Sequence, residues 1–63
     1  MPHPPQQTVS NLEFDKYRHV QYLGDYNMLD PRAQVATGLS PEVFAACQDR
    51  YEELEELYGK FHP

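Results

Sequence analysis

The sequence predicts a compact all-α domain of three helices, and three observations support that prediction. Three helix starts are marked by capping residues, three glycines stand where helices would end, and apolar residues recur at helical spacing between them. The predicted helices cover about residues 11–23, 31–37 and 41–58. Residues 1–9, which include three prolines, are expected to form a flexible tail, and residues 10–63 a single helical domain.

Each predicted helix begins at a recognisable capping sequence. Ser10 and Glu13 have the spacing of a capping box, in which each side chain accepts a hydrogen bond from the other's free backbone amide. The other two starts each place a proline directly after a capping residue, Asp30 before Pro31 and Ser40 before Pro41. Proline is favoured at the first helical position because that amide has no partner inside the helix.

The helix ends and the apolar stripes agree with these starts. Gly24, Gly38 and Gly59 each follow an apolar segment, where a left-handed closing residue is favoured. The last helix has the clearest periodicity, with apolar residues at steps of 3, 4, 3 and 4: Phe44, Cys47, Tyr51, Leu54 and Tyr58.

The first helix and the loop after it are less regular. Phe14, Tyr17, Val20 and Leu23 step by three, so their stripe winds around the helix, and residues 18–23 could instead form a short strand. In the loop that follows, Met28 and Leu29 are expected to fold into the core.

The cysteines, the histidines and the lengths of the apolar segments argue against a disulfide-bonded, a metal-binding or a membrane-spanning protein. Cys47 is the single cysteine, so no intramolecular disulfide can form, and the three histidines lack the spacing of metal ligands. We expect neither a metal nor a cofactor. No stretch approaches the roughly 18 apolar residues of a membrane span, and the N terminus has no export signal. The sequence therefore predicts a cytoplasmic protein without membrane contact.

Residues 33–47 have the pattern of a helix-turn-helix. Gly38 stands in the turn, Leu39 is expected to pack beneath it and Ser40 caps the second helix, although Gln34 occupies a position where that motif normally has a small residue. Because any tight helix pair satisfies such a pattern, it predicts a helix-turn-helix-like corner. The acidic charge of the helix that would read DNA argues against a duplex as ligand, since affinity for phosphates comes from lysine and arginine.

The net charge of −5 is concentrated in the last predicted helix. Residues 41–63 carry two basic and six acidic side chains, and the six are Glu42, Asp49, Glu52, Glu53, Glu55 and Glu56. Several of these glutamates stand at i,i+3 or i,i+4 spacing, where like charges destabilise a helix, and Glu56 with Lys60 is the favourable pair. Most lie toward the C-terminal end of the predicted helix, where the dipole disfavours them. This avoidable cost favours a functional role for the charge, namely docking on a basic surface.

Two of the five tyrosines, Tyr22 and Tyr26, are expected to be exposed and to add a protein contact beside the acidic helix. Cys47 lies on the apolar stripe and is expected to be a core residue rather than a nucleophile. An exposed helix of glutamates offers no concave site that would set the pKa values of catalytic acids apart, so we expect no enzyme activity.

The chain also resembles a group of small uncharacterised bacteriophage proteins. The resemblance covers residues 14–61 and depends on the glycine-to-aspartate turn at residues 24–30, the Gly-Leu-Ser turn at residues 38–40, and Tyr51 with Leu54 in the last helix. It implies a phage accessory protein that acts in the cytoplasm of its bacterial host by binding and blocking a host enzyme or defence complex. It implies no catalytic residue.

The leading hypothesis is therefore a non-enzymatic inhibitor whose acidic helix docks on a basic, nucleic-acid-binding surface of a bacterial protein, without itself binding nucleic acid. One alternative is a homo-oligomeric structural or assembly protein, such as a homodimer, that hides Tyr22, Tyr26 and Leu57 in its interface. The other is a helix-turn-helix regulator with Arg18 and Arg32 near the duplex.

Overall fold

The computed structural model describes residues 8–61, which form four α-helices and no strand. The helices are α1 Asn11–Leu23, α2 Pro31–Thr37, α3 Pro41–Asp49 and α4 Tyr51–Tyr58. The all-α prediction is confirmed for this part of the chain. Residues 18–23, the alternative strand, are helical.

The starts of α1, α2 and α3 use the predicted caps. Ser10 Oγ accepts from the Glu13 amide at 3.1 Å, and Glu13 Oε1 accepts from the Ser10 amide at 2.9 Å, which completes the capping box. The Asp30 side chain caps α2, and the Ser40 side chain caps α3 by accepting from the Val43 amide at 3.3 Å. Local sequence therefore determines where these three helices begin.

The predicted third helix, residues 41–58, is wrong in one respect, because it consists of two helices. Arg50 has φ −116° and ψ 26°, outside the helical range, so α3 ends at Asp49 and α4 begins at Tyr51. The hydrogen bonds beside the break are kept, since the Arg50 amide donates to the Ala46 carbonyl and the Leu54 amide to the Arg50 carbonyl, both at 2.9 Å. The apolar periodicity continues through the break, so the spacing of apolar residues does not mark it.

Two of the three predicted glycine stops have the expected conformation. Gly24 ends α1 with φ 71° and ψ 14°, and Gly38 ends α2 with φ 73° and ψ 8°. Both conformations lie in the left-handed region. Gly59 ends α4 differently, because its φ of 86° is combined with a ψ of 175°. The chain therefore leaves α4 in an extended direction.

The core lies between α1 and the α3–α4 pair and is rich in aromatic rings. Phe14 on α1 is fully buried and meets Tyr51 edge-on, with 5.3 Å between ring centroids, while Tyr17 meets Phe44 at 5.2 Å. Such pairs add stabilisation beyond the burial of their area. The buried apolar residues are Val9, Phe14, Tyr17, Ala33, Leu39, Val43, Phe44, Ala46, Cys47 and Leu54.

Two loop and helix-end residues that were expected in the core are exposed. Met28 packs against the core as predicted, and its carbonyl accepts from Gln48 Nε2 at 2.6 Å. Leu29 is 83% exposed, because its amide donates to Asn27 Oδ1 in a tight turn that directs the side chain outward. Leu23, at the end of the winding stripe of α1, is also exposed.

Most of the predicted tail, residues 1–9, lies outside the described residues. At its end, however, Val9 is buried and its carbonyl accepts from the Tyr58 hydroxyl at 2.6 Å. Val9 therefore belongs to the packed domain, and the tail was predicted too long by at least this residue. Across residues 8–61, no helix has the length and apolarity to cross a membrane.

Candidate functional site

The six acidic residues of the predicted site, here called the acidic surface, lie on two helices. Glu42 is in the first turn of α3 and Asp49 is its last residue, while α4 carries the other four: Glu52, Glu53, Glu55 and Glu56. The break at Arg50 separates the two groups. The prediction that all six lie along one continuous helix is therefore wrong.

The amphipathic pattern of α4 explains why its carboxylates face outward. Leu54 is almost fully buried, and Tyr51 and Tyr58, on the same face at spacings of three and four residues, pack against Phe14. The intervening positions carry the glutamates. Glu42, Asp49, Glu52, Glu53 and Glu56 are exposed, and Glu55 is half-buried.

Little of this charge is neutralised within the molecule. Among residues 8–61, one ion pair involves the acidic surface, with Arg50 Nε donating to Glu53 Oε2 at 2.7 Å. The favourable pair expected between Glu56 and Lys60 is not formed in this part of the chain, because α4 ends before Lys60 and the backbone turns extended at Gly59. The acidic surface therefore keeps a net negative charge toward solvent.

The break at Arg50 changes the electrostatics of α4. Glu52 and Glu53 lie in its first turn, where the positive end of the helix dipole stabilises carboxylates. The expectation that the dipole disfavours these two residues was wrong. The repulsion at i,i+3 and i,i+4 remains, since Glu52, Glu53, Glu55 and Glu56 share one continuous helix.

An open hollow of about 400 Å³ lies at the α3–α4 junction. Its lining residues are consecutive: Gln48, Asp49, Arg50, Tyr51, Glu52 and Glu53. Three carboxylates thus border a depression that a basic side chain of a partner could enter. In the described chain, no group of three or more histidine, cysteine, aspartate or glutamate residues is arranged to hold a metal ion.

The two tyrosines of the predicted site have different neighbours. Tyr22 is 61% exposed and its ring meets Phe61 at 5.7 Å, whereas Tyr26 is 39% exposed and lies 6.0 Å from the Arg32 guanidinium. Both are exposed as predicted. No hydrogen bond or ring contact within residues 8–61 joins either of them to the acidic surface.

The two arginines of the DNA-reading alternative are unsuited to a duplex. Arg18 is 3% exposed and is paired with Asp15, so its guanidinium does not reach the surface. Arg32 is exposed, but it bonds Asp30, with Nη2 2.9 Å from Oδ2, and these bonds lower the pKa of the Asp30 carboxyl. The burial of Arg18 was missed from the sequence, although its spacing from Phe14 and Asp15 allows both contacts on one helix face.

Cys47 is a core residue, as its position on the apolar face of the last predicted helix indicates. It is fully buried, and burial, with a further contribution from the charge of Glu13, raises the pKa of its thiol to about 11. The thiolate that a nucleophile requires is therefore disfavoured.

Comparison with protein families, with curated proteins and with solved structures finds no match for this chain. The resemblance to small bacteriophage proteins therefore stays a prediction.

Proposed function

We propose that this chain is a small non-enzymatic binding protein that docks its acidic surface on a basic surface of a bacterial protein and thereby inhibits it. The observation that supports this proposal most is the state of the six carboxylates. Five are exposed, and one, Glu53, is paired with a basic side chain among the described residues.

The cost of this arrangement to the chain supports a role in binding. A domain of this size derives only roughly 3–5 kcal/mol from its core. Three like-charged pairs nevertheless stand at i,i+3 or i,i+4 spacing on α4: Glu52 with Glu55, Glu52 with Glu56, and Glu53 with Glu56. Each costs about 0.2–0.5 kcal/mol. Attraction between these carboxylates and a basic partner surface would offset the repulsion among them. It would also steer association.

The partner surface that best matches a row of carboxylates is one that binds phosphates. Nucleic-acid grooves in proteins are lined by lysine and arginine, which neutralise phosphates in the same way as they would neutralise glutamates. Inhibition then follows either from occupation of the groove or from steric blocking beside it. The resemblance to bacteriophage proteins adds the setting, which is a phage product acting in the host cytoplasm.

Affinity capture from a bacterial lysate tests the proposal. The chain is immobilised beside a variant in which Glu52, Glu53, Glu55 and Glu56 are changed to glutamine. We expect the wild type to retain a basic protein that the variant loses and that salt elutes. Retention of the same proteins by both columns would contradict the proposal.

A matched pair of single variants controls for net charge alone. Glu52→Gln removes one charge from the acidic surface, and Asp25→Asn removes one from the exposed α1–α2 loop. We expect Glu52→Gln to weaken binding of the captured protein and Asp25→Asn to leave it almost unchanged. Equal weakening would mean that the partner senses total charge rather than this surface.

Competition separates the two modes of inhibition. If the acidic surface occupies a nucleic-acid groove, duplex DNA added to the captured complex displaces the chain in a concentration-dependent manner. If the chain blocks a neighbouring surface, a ternary complex with DNA persists.

Self-association is a second candidate function, and exposed apolar side chains favour it. Leu57 is 66% exposed and Tyr22 61% exposed, so both side chains are accessible to a second copy of the chain. Sedimentation velocity over a range of concentrations tests it. A stable dimer that Leu57→Ser dissociates would favour this candidate, and a monomer at all concentrations would exclude it.

A further inference from the structure

Arg18 is a buried cation in the middle of α1. Its Nη1 donates to the Gly59 carbonyl at 2.6 Å and its Nη2 to Asp15 Oδ1 at 2.8 Å. The guanidinium carbon lies 4.2 Å from the centroid of the Phe14 ring and 5.6 Å from that of Phe61. Its Nε is buried and makes no hydrogen bond to any of residues 8–61.

Residues 59–61, here called the strap, cover this guanidinium. Phe61 is half-buried, and its ring meets His19 at 6.4 Å and Tyr22 at 5.7 Å. The ring contacts and the hydrogen bond to the Gly59 carbonyl thus all go to residues of α1, while the Gly59 amide donates to the Glu55 carbonyl of α4 at 2.8 Å. Beyond Gly59, the ring of Phe61 contacts α1 alone among the described residues, and a segment held by so few contacts belongs to the low-stability end of a structure.

We propose that the strap opens and closes over Arg18 as a local unit while the four helices stay folded. Closure is favoured by the hydrogen bond from the charged Arg18 guanidinium to the Gly59 carbonyl. It is also favoured by the cation–π contact between Arg18 and Phe61 and by burial of the Phe61 ring. It is opposed by the Nε donor, which loses its water on closing and finds no acceptor in the described part of the chain.

Gly59 supplies the hinge for this movement. Its φ of 86° with ψ of 175° is a conformation that glycine alone adopts readily, so the closed strap depends on glycine at this position. A Cβ added there would meet nothing within 4 Å, so a substitution would act through the backbone and not through a clash.

Opening changes the surface of the protein. It presents the Arg18 guanidinium, still stacked on the Phe14 ring, to solvent, which creates a cationic site with an aromatic backing on an otherwise acidic chain. Closing removes that site again. This inference depends on the packing around Arg18 and is independent of any role of the acidic surface.

Hydrogen exchange of the Arg18 Nε–H, followed by NMR on the full chain labelled with ¹⁵N, tests the proposal. We expect this group to be protected, but at least about tenfold less than the backbone amide of Arg18, and its exchange to be independent of urea below the unfolding transition. Exchange that instead follows global unfolding, with the protection and urea dependence of that amide, would overturn the proposal. An Nε–H without any protection would also overturn it, because the closed state would then not be populated.

Two variants and one control sharpen the result. Phe61→Ala removes the ring from the cation, and Gly59→Ala disfavours the closed backbone. Both should lower the protection of the Nε–H by about tenfold, since loss of a partly desolvated cation–π contact and strain at a backbone conformation that favours glycine are each of that size. Tyr26→Ala removes an exposed aromatic ring that contacts Arg32 and not the strap, and should have no effect. If Phe61→Ala and Gly59→Ala leave the protection unchanged, the strap does not control Arg18.

Discussion

Replacement of Glu56 by glutamine should stabilise the domain, although it removes a native side-chain charge. Glu56 lies in the last turns of α4, is exposed, and makes no ion pair among the described residues. It stands four residues after Glu52 and three after Glu53, so it takes part in two of the like-charged pairs of α4. The substitution keeps the size and the helix propensity of the side chain almost unchanged.

The expected gain follows from those two pairs. Each costs about 0.2–0.5 kcal/mol, so Glu56→Gln should raise the free energy of unfolding by roughly 0.4–1 kcal/mol. Glu53→Gln is the matched comparison, because it relieves one repulsive pair but loses the Arg50 ion pair and a first-turn interaction with the helix dipole. Those losses amount to roughly 0.5–2 kcal/mol, so this variant should be neutral or less stable by up to about 1.5 kcal/mol.

Urea unfolding followed by circular dichroism at 222 nm measures both effects. At low salt the midpoint should rise for Glu56→Gln and stay or fall for Glu53→Gln, with equal slopes. At about 1 M NaCl, where the Debye length is roughly 3 Å, the gain from Glu56→Gln should largely disappear. A gain that persists at high salt, or a stabilisation of the same size for Glu53→Gln, would refute the electrostatic reasoning about α4.

Three further predictions concern the fold. Phe14→Ala should remove about 3–5 kcal/mol and leave the chain largely unfolded by circular dichroism at 25 °C, whereas Leu29→Ala, at an exposed position, should change stability by less than about 0.5 kcal/mol. Ser10→Ala breaks the capping box and should cost about 0.5–2 kcal/mol in urea unfolding, and an unchanged midpoint would contradict that role. Burial raises the pKa of Cys47 from 9.0 to about 11 and also raises the pKa of Tyr17, so the unfolded chain loses these protons first. The urea midpoint should therefore fall as pH rises from about 9 to 11, and less steeply in Cys47→Ala.

The helix starts could be predicted from sequence because they depend on local chemistry. Ser10, Asp30 and Ser40 cap α1, α2 and α3 through hydrogen bonds to amides two or three residues ahead, which sequence spacing alone specifies. The glycine stops at Gly24 and Gly38 are local in the same sense. The exposure of the carboxylates was predictable as well, since charged groups stay in water unless they find a partner.

The features that the sequence did not predict are determined by tertiary contacts or by the direction of a turn. Arg50 departs from helical geometry with neither glycine nor proline nearby, so no local signal marks the break. Arg18 is buried because Gly59, distant in sequence, supplies an acceptor and Phe61 a ring. Leu29 points outward because the Asn27 turn determines its direction, although its apolar side chain suggested burial.

The central claim is that the acidic surface binds a basic partner through charge. The most direct test is the dissociation constant for the captured partner, measured by isothermal titration calorimetry at about 50 and 200 mM NaCl, for the wild type and for the variant with four glutamines on α4. Charge-mediated binding predicts that the wild-type affinity falls steeply with salt, and that the variant binds weakly at both concentrations with a much smaller salt dependence. Equal affinities of the two proteins, unchanged between the two salt concentrations, would contradict the claim.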